Sequence, residues 1–232
     1  MKGIKTICVA LAALVLAGCG SSQQTGMLAG GGGGAALGAI IGGLAGKSGK
    51  SALIGSAIGG AVGTGAGYLI GKKMDKAKAA AAQVENATVE SVTDANGLQA
   101  VKVSFDNGIL FSTGKSALQP AAQNALSKFA NSVLNVYTDC DVAIYGYASS
   151  DGSDQLNLDL SNNRAYAVSN YLMNTCRVAP AQIKTVKGFG EDPQYLVRNS
   201  DGSENAAASR RVEVYLYASQ AMVDAANAGT LK

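Results

Sequence analysis

The chain of 232 residues has no histidine and no tryptophan, only three prolines and four cysteines, and 6% aromatic residues. Without histidine there is no imidazole base, no proton switch near neutral pH and no histidine-ligated metal site. Charge is sparse as well, with 19 Lys and Arg against 16 Asp and Glu, a net of +3. No basic stripe interleaved with aromatics occurs, which argues against a nucleic-acid partner. No nucleophile–base pair or metal-ligand cluster is readable, so the expectation is a non-enzyme without cofactor or metal. What the chain has in excess is glycine, 30 residues, crowded toward the N-terminal third. Composition this uneven implies two regimes in one chain.

The N-terminus, MKGIKTICVALAALVLAGCG, combines Lys2 and Lys5 with a short apolar run over residues 6–15. This reads as a secretory signal, too short for a membrane span. It ends in Leu16-Ala17-Gly18-Cys19, which resembles a bacterial lipobox. That resemblance implies cleavage after residue 18 and lipidation of Cys19. Gly20 in place of an aspartate resembles the sorting pattern for the outer membrane. Acyl chains anchor firmly, since each buried CH₂ contributes about 0.8 kcal/mol. Residues 1–18 are therefore expected to be a signal peptide and 19–26 a lipidated linker. Loss of Lys2 and Lys5 takes the net charge from +3 to near +1.

Residues 27–73 form a repeat. Gly30, Gly34, Gly38, Gly42 and Gly46 are spaced by four, as are Gly55, Gly59, Gly63, Gly67 and Gly71, with Lys47-Ser48-Gly49-Lys50-Ser51 between the two runs. A spacing of four keeps residues on nearly one helix face. Each glycine costs a water-exposed helix about 1 kcal/mol relative to alanine. Lipid compensates, because backbone groups there must bond internally, and a small-xxx-small face lets helices approach closely. The expectation is a glycine-zipper hairpin of two helices, each about 25–30 Å long and close to the hydrocarbon thickness. Spanning the membrane, lying along it, self-association through helix–helix packing, and a disordered linker all remain open. "GKSGKS" mimics a phosphate loop, but Ile41 and Leu44 stand where its first glycine belongs, so nucleotide binding is rejected. Residues 74–86, Ala- and charge-rich, are expected to be a helical spacer.

Residues 87–217 suffice for one packed domain. Two alternating stretches flank Asn96-Gly97, a hairpin signal. Asn107-Gly108 turns into "ILF", and Gln119-Pro120 opens a helix whose Leu126, Phe129, Val133 and Tyr137 recur at core spacing. "DVAIYGYA", "IKTVKGFG" and "RRVEVYLYA" read as strands, and residues 154–175 as a second long helix with Asp154 as its cap. The fold expected is α+β, a two-layer sandwich with helices on one face of a mixed sheet. Residues 218–232 read as a short helical tail without a role.

The order of "GYASSDG…LN…LSNNRAYAV", "GFGEDP" and "SRRVEV" resembles the OmpA-like domain. With the lipobox and the glycine zipper, the whole chain is similar to YiaD-type outer-membrane lipoproteins. The resemblance implies a βαβαββ fold that binds peptidoglycan by clamping the diaminopimelate of its stem peptide. In that clamp an aspartate holds the ammonium and an arginine forks the carboxylate, a geometry suited to guanidinium. Arg164, in LSNNRA, falls on the arginine position, and Asn157 on an asparagine lining the site. The family aspartate falls on Ser149, a neutral hydroxyl. Near the first strand the family's acid and asparagine fall on Ser112 and Gly114. Asp151, two residues beyond Ser149, is either the substitute acid or a turn residue before Gly152. Arg164 is a ligand group or a surface arginine. No carboxylate stands three or four residues away to pair with it. Arg210 and Arg211 are open between ion pairing within the domain and ligand contact.

Cys140 and Cys176, placed by the strand–helix order at neighbouring ends, form either a disulfide in an oxidising periplasm or two buried thiols. The function expected is a non-enzymatic tether. The lipid and zipper would sit at the outer membrane, and the periplasmic domain would sit on the cell wall. The alternative is a membrane-associated scaffold or assembly lipoprotein whose domain no longer binds peptidoglycan, a reading supported by Ser149.

Overall fold

The computed structural model describes residues 64–94 and 98–231. The signal peptide, Cys19, the first zipper run, most of the second run and the Asn96-Gly97 turn lie outside the described residues.

Helix α1, Thr64–Ala81, runs without a break across the expected boundary between zipper and spacer. Ala66, Ile70, Met74, Ala77 and Ala81 recur every three or four residues and are all buried in the main core. That stripe lies over β1 (Ala87–Thr93) and β2 (Gln99–Asp106). Burying side chains such as Ile70 and Met74 contributes about 1.5–3 kcal/mol each. Lys73 Nζ to Asp139 (2.5 Å) and Gln99 Nε2 to Asp75 (2.7 Å) tie the helix down at its flanks. From Ala66 onward, therefore, the second glycine-rich run belongs to the folded domain, and a side chain packed in this core is not in lipid.

After β2, Asp106 caps a single helical turn, α2 (Asn107–Leu110), by accepting from Gly108 N. Pro120 opens α3 (Pro120–Phe129), which widens into a π-helical turn over Ala130–Leu134. Strand β3 (Cys140–Tyr147), the long α4 (Asp154–Asn174) and β4 (Ile183–Gly188) form a parallel crossover. The turn α5 (Ala206–Ser209) leads into β5 (Arg211–Ala218), and α6 (Gln220–Asn227) follows. The sheet order is β1-β2-β5-β3-β4, with β3–β4 parallel and the other pairs antiparallel. This is the expected two-layer α+β sandwich. Leu126, Phe129 and Val133 are fully buried, with Phe129 edge-on to Phe105. The opposite sheet face carries a second cluster of Tyr145, Tyr147, Phe189 and Tyr215.

Two expectations are corrected. The segment after residue 218 is part of the fold, because Ser219 Oγ caps α6 and its Met222, Val223 and Ala226 are buried beside α1. A short amphipathic helix has nothing to declare its partner until that partner is in place. The disulfide is not formed. Cys140 and Cys176 are both buried free thiols, the second 3.7 Å from Ser127 Oγ. Burial, helped by the charge of Asp139, pushes the Cys140 thiol up to about 12.

Candidate functional site

Two glycines set the depth at which α4 lies on the sheet. A Cβ on Gly146 would stand 2.2 Å from Ser161 O, and one on Gly188 would stand 2.2 Å from Asn162 N. With both positions bare, the helix backbone rests directly on the ends of β3 and β4. Asn162 Oδ1 accepts from Gly188 N (2.7 Å) and Ser161 Oγ accepts from Gly190 N (2.9 Å). Ser153, and not Asp154, caps the helix by accepting from Leu156 N. Asp154 lies in the first turn, where a negative charge favours the helix dipole.

This docking fixes Asn157, Ser161 and Arg164 along one buried face of α4. Arg164 is 2% exposed. Its Nε donates to Lys115 O (3.0 Å), and its guanidinium lies 5.3 Å from the centre of the Phe111 ring. Lys115 reaches that position through a turn closed by Lys115 N to Ser112 O, with Gly114 at φ +67° inside it. Such a φ suits glycine, so Gly114 at the family's asparagine position serves the turn that holds Arg164. A guanidinium has five N–H donors. Among the described residues only the Nε bond is made, and no carboxylate pairs with this charge. Burial, then the nearby positive charge of Arg210, lowers its pKa to about 10, which leaves it charged at neutral pH.

The loop after β3 brings the other expected residues together. Ser149 is 3% exposed, and its Oγ donates to Asp151 Oδ2 (3.0 Å). Arg210 Nη1 donates to both Ser149 Oγ and Asp151 Oδ2, each at 3.1 Å. Ser149, Asp151 and Arg210 thus form one hydrogen-bonded group, with the Asp151 carboxylate held beside the Ser149 hydroxyl. Asp151 remains 75% exposed, so the pair with Arg210 is readily exchanged. Asn157 Nδ2 donates to Asp151 O (3.0 Å) and to Glu191, linking this loop to the segment after β4. Glu204 accepts from the backbone and hydroxyl of Ser150.

In the sequence Arg210 is open between two roles, and nothing marks Glu191 or Glu204 as belonging to this loop. Glu191 lies in "GFGEDP" and Arg210 in "SRRVEV", whereas Glu204 lies in neither, and a partner more than thirty residues away cannot be read from such motifs. Arg211 is structural. It pairs with buried Glu213 (2.8 Å) and lies 4.1 Å from the centre of the Tyr147 ring. Among the described residues no group of three or more Cys, Asp or Glu is placed to hold a metal ion, and no helix is long and apolar enough to cross a membrane.

Residues 110–211 match the model of the OmpA family, and residues 1–75 match that of the YMGG-like Gly-zipper. The chain is 34% identical over 213 residues to the probable lipoprotein YiaD of Escherichia coli K12, covering 88% of this chain and 92% of that protein. It is 30% identical over 140 residues to outer membrane protein A of Shigella flexneri, covering 57% of this chain but 40% of that protein. Among solved structures, a putative MotB-like protein from Desulfovibrio vulgaris superposes with a TM-score of 0.51 at 21% identity, over 66% of this chain and 94% of that one. That last likeness concerns the fold alone.

Proposed function

The chain belongs to the YiaD-like lipoproteins, with a glycine zipper ahead of an OmpA-family domain, and we propose that it tethers the outer membrane to the cell wall by binding peptidoglycan non-covalently. Cys19 carries the lipid, and the glycine-rich residues up to about Gly63 associate with the membrane. The OmpA-like domain lies in the periplasm. Binding of this kind involves no chemical step, cofactor or metal.

The observation that carries it is Arg164, a buried guanidinium with a single hydrogen bond, to a neutral carbonyl, and unused donors beside a second arginine. A buried cation in that condition is costly unless an anion completes it. The carboxylate of a stem-peptide diamino acid supplies that anion. Asp151 takes the ammonium, exchanging its exposed pair with Arg210 for the ligand. Ser149 orients Asp151, and Asn157 holds the loop. Losing a charge-assisted bond costs about 1.5–3 kcal/mol, or roughly 10- to 100-fold in affinity.

The test is co-sedimentation of the full chain, in detergent, with purified sacculi. Retention is expected, reduced at least about tenfold in Arg164→Gln and less in Arg164→Lys, which keeps the charge but loses the fork. Absence of retention by the unmodified chain would overturn wall binding. The second reading, a scaffold lipoprotein, would then stand, favoured by the neutral residue at position 149.

A further inference from the structure

Helix α1 has two faces. One is buried in the domain; the other carries Tyr68, Lys72 and Lys76, one turn apart and all exposed. The helix holds four lysines, Lys72, Lys73, Lys76 and Lys78, against the single acid Asp75. Lys73 pairs with Asp139, and Asp75 accepts from Gln99. Among the described residues Lys72 and Lys76 have no carboxylate partner. Tyr68 is 39% exposed at the end of the helix reached directly from the apolar, glycine-rich sequence.

In sequence an apolar, glycine-rich run comes first; on this face of the helix an aromatic with a polar tip is followed by two cations at about 6 and 12 Å further along the axis. Tyrosine suits the zone where hydrocarbon meets headgroups. Lysine lays its stem along apolar material and holds its charge at the phosphate level. We propose that the Tyr68–Lys72–Lys76 face of α1 is a docking surface for anionic phospholipid headgroups, so that the domain rests against the bilayer and does not hang from a free linker. This rests on the membrane-anchored reading above. Lysines near an anionic surface each strengthen binding about fivefold, and salt weakens the effect within a Debye length.

The absence of tryptophan from the whole chain makes the test clean. In the full-length Tyr68→Trp variant, all tryptophan emission comes from position 68. The chain is reconstituted into vesicles of phosphatidylethanolamine and phosphatidylglycerol, and vesicle flotation confirms anchoring independently. The expected result is emission shifted to shorter wavelength, quenched by lipid spin-labelled at the headgroup. The shift should reverse in high salt, in vesicles of zwitterionic lipid alone, and when Lys72→Glu and Lys76→Glu are added. Emission typical of open water in a chain that floats would overturn the surface while leaving the anchor intact. A chain that does not float would overturn both. A blue shift untouched by the headgroup quencher would mean that protein, such as a second copy, covers the face, and would also overturn the proposal.

Discussion

Gly188→Ala probes how α4, and with it Arg164, is seated. The new Cβ would lie 2.2 Å from Asn162 N, 2.4 Å from Ser161 Oγ and 2.6 Å from Ser161 C. Carbon contacts settle at about 3.5–4.0 Å, so the helix must withdraw by about 1 Å or more. Two of the three atoms are backbone and cannot rotate away. Withdrawal also stretches the bonds from Gly188 N to Asn162 and from Gly190 N to Ser161. Overpacking costs about 1–3 kcal/mol and each hydrogen bond about 1 kcal/mol, a total of about 3–5 kcal/mol. For a chain of this size that is a fall of roughly 6–20 °C in Tm. Thermal unfolding of the full chain, followed by circular dichroism and calorimetry, measures it. The control is Gly65→Ala, where a Cβ meets nothing within 4 Å. It should be neutral or stabilising by up to about 1 kcal/mol. A Gly188→Ala protein melting within about 2 °C of the parent would refute the argument that bare glycines set the helix depth. If it folds at lower stability, the displaced Arg164 should also lower retention on sacculi.

The thiols and the tyrosines offer independent checks. Alkylation in denaturant without reductant should label both Cys140 and Cys176, whereas the native protein should react slowly, because both thiols are buried and raised in pKa. Recovery of the two as a disulfide-linked peptide pair would contradict the structure. Burial raises the folded-state pKa of Tyr145, Tyr147, Tyr215 and Tyr217, the last packed against the second cluster, above the ordinary tyrosine value of about 10, with neighbouring negative groups adding to it. Their contribution is intact below pH 10 and is lost above it, because the unfolded chain releases the protons first. The loss is about 1.4 kcal/mol per tyrosine for each pH unit beyond 10. Tyrosinate absorbance should therefore appear for these four only together with alkaline unfolding. Their ionisation in a still-folded chain would show the second cluster to be solvent-accessible.

The sequence by itself determined what depends on local periodicity and composition. The alternating strands, the core stripe of Leu126, Phe129 and Val133, and the long helix starting near Asp154 are where the pattern placed them, because side-chain direction follows backbone period. Arg164 and Asn157 were singled out by the resemblance of their motif to the family pattern, and the structure places both on one buried face of α4. Only the tertiary structure decided what depends on which elements meet. It made α1 and α6 part of the core, since an apolar stripe records that it will be buried but not against what. It brought Arg210 to Asp151, fifty-nine residues away, and to Ser149, and it left Cys140 and Cys176 as separate thiols. Long-range pairings of this kind depend on loop path and packing distance, quantities that no local pattern carries.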